Sequence, residues 1–242
     1  MIHRRTMLSM SLASMAGMGL ANRAHAAAHV APIRRIEAIP LKYPVTHYFR
    51  FFPKPERPTI LVKVVLEDGL TGWGQSVPSP AWSYETPESV LTGIREYLAP
   101  PLIGANPLDV QGAHLKMNKA LAPSFSTGAP IAKAGIDLAL YDLAGKLAGR
   151  SLPELWGRKP LEKIPLSWTV NVREIKEVEP LVAEGKALGY KHFNLKVAPD
   201  PRFDVELARA VRKLAPDCFL WADANGGYDP ATALAVTPKL AD

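Results

Sequence analysis

The chain has 242 residues, 48% of them hydrophobic, a formal net charge of +6 and a single cysteine, Cys218. That length can bury one or two sizeable cores, while one cysteine excludes an intrachain disulfide framework and a multi-cysteine zinc site. The charge is no nucleic-acid footprint: the first 26 residues hold three arginines and no acid, leaving 26 basic against 23 acidic residues, with no basic run or interleaved aromatic stripe among them.

The N-terminus reads as a targeting segment. Arg4-Arg5 precede a mildly apolar run over 7–20, and Ala24-His25-Ala26 supplies a small-x-small cleavage pattern. This resembles a twin-arginine signal, so residues 1–26 are expected to be an export signal and the mature protein to be periplasmic or exported. The apolar run is too short to cross a bilayer and no later segment is long enough, so no membrane association is expected after cleavage.

Apolar and polar residues then alternate over 33–41, which predicts a strand. Residues 42–58, KYPVTHYFRFFPKPERP, interrupt the alternation with prolines, aromatics and charges and predict a loop. A second strand over 59–66 turns at Asp68-Gly69 and returns over 70–77, a strong hairpin signal. Helices are predicted over 87–98, 107–121 and 131–147. In the last, Ile131, Ala134, Gly135, Leu138, Tyr141, Asp142 and Gly145 form a small-residue face suited to close packing, and Gly149 can close its C-terminus. Strands followed by helices in blocks indicate an α+β domain over 33–160, ending near Gly157-Arg158-Lys159-Pro160.

Over 161–242 the pattern alternates. A strand at 164–170 and a helix at 178–188 lead to a strand at 191–197. A helix through Leu207, Ala208, Val211 and Leu214 follows, then a strand at 218–223 and a helix opened by Asp229-Pro230. Such units force the strands parallel, with the helices on one face. Period two sets Asn194 and Lys196 on the face opposite Phe193, Leu195 and Val197; Asp223 and Asn225 share a side if the extension continues. An apolar core has no use for these four polar groups. At the C-terminal mouth of a parallel sheet or barrel they form a site. Cys218, within a strand, reads as a packing residue. Three units cannot close an eight-stranded barrel, so the chain is expected to be the front of a longer protein.

Four stretches together resemble the enolase superfamily, in its mandelate racemase and muconate lactonizing branch. They are Leu70-Thr71-Gly72-Trp73-Gly74-Gln75, where the family usually has Gly-x-Gly-Glu; Ala134 to Lys146, AGIDLALYDLAGK; Leu152-Pro153-Glu154-Leu155-Trp156-Gly157; and the pair of polar strand ends. The resemblance implies an α+β N-terminal cap domain followed by the first three β/α units of a TIM-type (β/α) barrel, truncated at residue 242. It also implies Mg2+-assisted abstraction of the proton alpha to a carboxylate, a small-molecule carboxylate substrate, and a homo-oligomer in the complete form. Such a proton is weakly acidic, so its removal needs a charge sink, which a divalent cation can supply.

Carried over residue by residue, Asp223 matches the family's first metal ligand, an oxygen donor of the kind magnesium prefers. Without the resemblance it reads first as an Asx-turn residue before Gly226-Gly227. Asn225 matches a hydrogen-bond donor to substrate, or else caps the loop. Lys196 matches the second lysine of a Lys-x-Lys motif, which takes or returns the proton; the alternative is a rim lysine reaching solvent. Asn194 stands where the motif has its first lysine. That departure removes a carboxylate anchor and a neighbouring cation of the kind that helps a lysine shed its charge. His192, preceding the motif, reads as a packing or supporting residue. Substrate specificity is assigned to loops at 42–58, with Tyr48 and Arg50 as substrate-contacting residues beside His47 and Phe49, and at 75–86, with Trp82 and Tyr84. Racemisation or epimerisation, acid-sugar dehydration and cycloisomerisation all stay open. The competing class is a non-catalytic truncated product or an interaction module retaining the cap domain, and the 242-residue chain alone is expected to be inactive.

Overall fold

The computed structural model describes residues 30–45 and 55–241. The export signal, Tyr48 and Arg50 lie outside the described residues, as do His47 and Phe49. Strands β1 (Ile33–Pro44), β2 (Glu56–Leu66) and β3 (Thr71–Ser76) form an antiparallel sheet in that order. The hairpin forms as its Asp-Gly requires: Gly69 has φ 90°, and the Asp68 carboxylate accepts the Leu70 N–H at 2.9 Å.

The described ends of the loop expected over 42–58 are strand instead. Lys42, Tyr43 and Pro44 pair with Pro58, Arg57 and Glu56, extending both strands. Prolines fit there because β1 is an edge strand and β3 pairs β2 only from Ile60 to Val65, so the missing N–H at Pro44 or Pro58 need not cost a ladder bond in the sheet centre. Lys42 Nζ also meets Glu56 Oε1 at 2.6 Å across the pair.

Helices α1 (Pro80–Ser83) and α2 (Pro87–Thr92) follow, and α2 runs on into a wider-wound turn, Gly93–Leu98. Helix α3 (Val110–Ala120) starts three residues later than its expected 107, because Asp109 caps it by accepting the Gly112 N–H at 2.9 Å. Helix α4 (Pro130–Ala148) is closed by left-handed Gly149, as expected.

Helix α4 lies against β3 at backbone distance. A Cβ on Gly74 would sit 2.0 Å from the Gly135 carbonyl oxygen, and one on Gly135 would sit 2.2 Å from Ser76 Oγ. The same helix covers the open edge of β3: Asp142 accepts the Trp73 N–H at 2.8 Å and Lys146 donates to the Thr71 carbonyl at 2.8 Å. Beneath them Val62, Val64, Leu66, Ile94, Leu98, Met117, Ile136, Leu140 and Leu143 form one buried core.

A short helix α5 (Leu152–Leu155), capped by Ser151 and Glu154, leads to the second sheet. There β4 (Ser167–Val170), β5 (His192–Lys196) and β6 (Leu220–Asp223) are parallel, in chain order. Helices α6 (Val178–Ala187), α7 (Pro201–Leu214) and α8 (Pro230–Ala241) alternate with them. The strand expected from 164 begins only at Ser167, where pairing with β5 begins; Ile164 and Leu166 before it are exposed. A second core, including Val170, Val182, Phe193, Leu195, Leu207 and Val211, joins this sheet to its helices.

Candidate active site at the ends of β5 and β6

Parallel pairing sets Lys196 directly beside Asp223, and Asn194 beside Trp221. Paired residues on adjacent strands point the same way, so the alternation that buries Phe193 and Leu195 against the helices turns Asn194, Lys196 and Asp223 to the other face. There Lys196 Nζ donates to Asp223 Oδ2 at 2.6 Å, with side chains 11% and 34% exposed.

Asn225 joins them by a different route from the extension expected. The strand ends at Asp223, and the backbone turns through left-handed Asn225, φ 48°, with the Gly227 N–H donating to the Ala224 carbonyl at 2.7 Å. The Asx turn is therefore real: Asp223 Oδ1 accepts the Asn225 backbone N–H at 2.8 Å. The Asn225 side-chain amide, expected to serve a substrate, donates to Asp223 Oδ2 at 3.0 Å. Asn225 Oδ1 and Asn194 Oδ1 are buried without a hydrogen-bond partner among the described residues. Against burial, which pushes it up, the Lys196 hydrogen bond and then the Asn225 backbone N–H hold the Asp223 carboxyl below its ordinary value. Asp223 is thus ionised near neutrality.

His192 lies on the same face one turn of alternation back, its ring edge-on to Phe219 at 6.2 Å, which agrees with a packing residue. Asp204 and Tyr228, which no sequence pattern marked, meet behind the pair. Asp204 is fully buried, and its Oδ2 accepts the Ala198 N–H at 2.8 Å and the Tyr228 hydroxyl. In the loop over 75–86, the Glu85 carboxylate accepts the N–H groups of Ile131 and Ala132 at 2.6 and 3.0 Å, anchoring that loop to the start of α4.

One hard carboxylate with lone pairs to spare fits a magnesium ion as a single ligand, Asp223; no group of three His, Cys, Asp or Glu side chains gathers among the described residues. A groove of about 930 Å3 lies elsewhere, between β3, α4 and α5. Its acid, Asp142, accepts from the Trp73 N–H and from Lys146 Nζ.

Residues 35–157 match the mandelate racemase / muconate lactonizing enzyme N-terminal domain, and residues 176–242 match the enolase C-terminal domain-like family. The chain belongs to this branch of the enolase superfamily. It is 29% identical over 174 residues to the N-succinyl-L-Arg/Lys racemase of Bacillus cereus, covering 72% of this chain and 46% of that protein. Against the cis-3-hydroxy-L-proline dehydratase of Roseibium aggregatum, identity is 34% over 171 residues, covering 69% and 45%. Among solved structures, the dipeptide epimerase of Enterococcus faecalis complexed with Mg and L-Leu-L-Tyr superposes with a TM-score of 0.78 at 27% identity, covering 87% and 58%. The chain spans about half the length of the curated relatives it matches. Those relatives include racemases, epimerases, cycloisomerases and dehydratases.

Proposed function

We propose that this chain carries part of a magnesium-dependent site that abstracts the proton alpha to a substrate carboxylate. The observation that carries the proposal is the meeting of Lys196 and Asp223 at 2.6 Å, on the ends of adjacent parallel strands, in a chain of this family. Lys196 is the base: Nζ, held at the strand end, takes the alpha proton and returns it. Asp223, ionised and steadied by two bonds from Asn225, is a ligand for the cation. Bound there, magnesium supplies Lewis-acid stabilisation of the charge that develops on the substrate carboxylate. Asn194 and Asn225 flank the pair as substrate-contacting residues, joined by Tyr48 and Arg50 from the sequence between β1 and β2.

The substrate is a small carboxylate of the kinds its relatives' names give, such as an N-succinyl amino acid, a dipeptide, a muconate or a hydroxyproline. Racemisation or epimerisation and dehydration begin with this proton transfer; in cycloisomerisation of a muconate the carboxylate oxygen closes the ring first and the same group then delivers the proton to the alpha carbon. The paired arginines and Ala24-His25-Ala26 support export to the periplasm.

The test is solvent-deuterium exchange at the alpha carbon of an N-succinyl amino acid, a dipeptide, a hydroxyproline and muconolactone, with and without magnesium, in the gene product carrying these residues. Magnesium-dependent exchange is expected in the wild type and its loss in Lys196→Ala, with metal affinity retained. Exchange that survives in Lys196→Ala would move the base elsewhere, and no exchange with any substrate would sink the reading.

A further inference from the structure

The loops that follow β5 and β6 are tied together at one buried point. The loop after β5 begins at Val197, whose N–H donates to the Asp223 carbonyl at 3.2 Å. The next residue, Ala198, has a left-handed φ of 75°, which costs a non-glycine residue energy and persists only when its surroundings hold it. What holds it is Asp204, in the first turn of α7, whose Oδ2 accepts the Ala198 N–H at 2.8 Å. The same oxygen accepts the hydroxyl of Tyr228, three residues beyond Asn225 in the loop after β6. The two loops also touch directly: a Cβ on Gly227 would come within 2.8 Å of the Ala198 Cβ.

Lys196 stands two residues before one of these contacts, and Asp223 five residues before the other. Asp204 is fully buried, and its Oδ1 has no hydrogen-bond partner among the described residues. For stability alone this is a poor choice, because an incompletely satisfied buried carboxylate costs more than an apolar side chain of similar volume. Its return is geometric: one oxygen bonds both loops at once.

We propose that Asp204, acting with Tyr228, is a positioning residue that clamps the β5 and β6 loops and so sets Lys196 against Asp223. Asp204 touches neither side chain and acts through the backbones that carry them. Its catalytic consequence rests on the reading of Lys196 and Asp223 as base and metal ligand, whereas the clamp itself is testable without that reading.

A zero-length carbodiimide cross-link reports the geometry, because it joins a carboxylate to an amine only when the two are in contact. The experiment treats the full chain with a water-soluble carbodiimide and quantifies the Lys196–Asp223 linkage by peptide mass spectrometry, with Asp223→Asn as the blank. Amide hydrogen exchange of peptides over 197–204 and 224–229 runs in parallel. Tyr228→Phe removes one hydroxyl and is the variant least exposed to misfolding. Losing such a bond is expected to lower the cross-link yield and speed exchange across the gap, in 197–204, each by about fivefold, with Asp204→Ala doing so more strongly. Exchange in β1 to β3 should not change. Asp204→Asn keeps a carbonyl oxygen able to accept both bonds and is expected to restore the yield to within about twofold of wild type.

Equal yields in wild type, Tyr228→Phe and Asp204→Ala overturn the clamp. So does an Asp204→Asn yield as low as that of alanine, which would assign the effect to charge. A wild type that gives no linkage overturns the convergence itself. In the gene product carrying the complete site, millimolar Mn2+ should protect Asp223 from the carbodiimide; absence of protection there overturns the metal reading, while the yields still decide the clamp.

Discussion

At the scale of single residues, one ionised carboxylate, Asp223, meets one lysine, Lys196, at 2.6 Å. Asp223 is held below its ordinary value of 3.8 because the bonds from Lys196 and Asn225 outweigh its burial. A carboxyl with a depressed folded value contributes stability that is complete above the unfolded value and lost as pH falls through the folded one. In metal-free buffer, Asp223→Asn is therefore expected to unfold at lower urea than wild type at pH 7, and the gap should narrow as pH falls below 3.8. Urea midpoints at several pH values measure this. A gap that does not change with pH would show that the Lys196 pairing adds nothing to stability.

Elements are positioned in this protein mainly by close approach. Gly72 and Gly74 on β3 and Gly135 on α4 let helix and strand backbones meet, and Asp142 and Lys146 then reach the edge groups of β3. A methyl group at Gly74 would meet the Gly135 carbonyl, which belongs to backbone and cannot swing aside. Gly74→Ala should displace α4 and destabilise the N-terminal domain by about 1–3 kcal/mol, the usual range for an overpacked core. Thermal melting followed by circular dichroism gives the answer; a variant as stable as wild type would mean that the helix has room to slide. Because the Glu85 loop is tied to the start of α4, the same displacement should move that loop.

For the whole molecule, the second sheet decides solution behaviour. Strand β6 is an edge of the three-stranded parallel sheet, and Phe219 beside it is 65% exposed. An uncovered strand edge beside exposed aromatic surface recruits other chains. Residues 27–242 expressed alone are expected to self-associate in light scattering, and Phe219→Lys should shift the population toward monomer. A monodisperse wild-type monomer that unfolds cooperatively would contradict this.

Read without any structure, the chain already determined most of its elements, because these depend on local pattern. Two-residue alternation marked β1 and β5, Asp68-Gly69 between apolar runs marked the hairpin, and the apolar spacing of Leu207, Ala208 and Val211 marked α7. It also placed Lys196 and Asp223 at neighbouring strand ends. Tertiary structure alone decided that the register sets those two side by side, that β1 and β2 run on through their prolines, and that Asn225 turns back onto Asp223. It alone showed that Asp204 joins Ala198 to Tyr228 and that Glu85 caps a helix 46 residues away. The physical reason is range. Periodicity is written into consecutive residues, whereas register and buried polar contacts depend on which distant segments pack together, and a one-residue slip would send Lys196 to the opposite face.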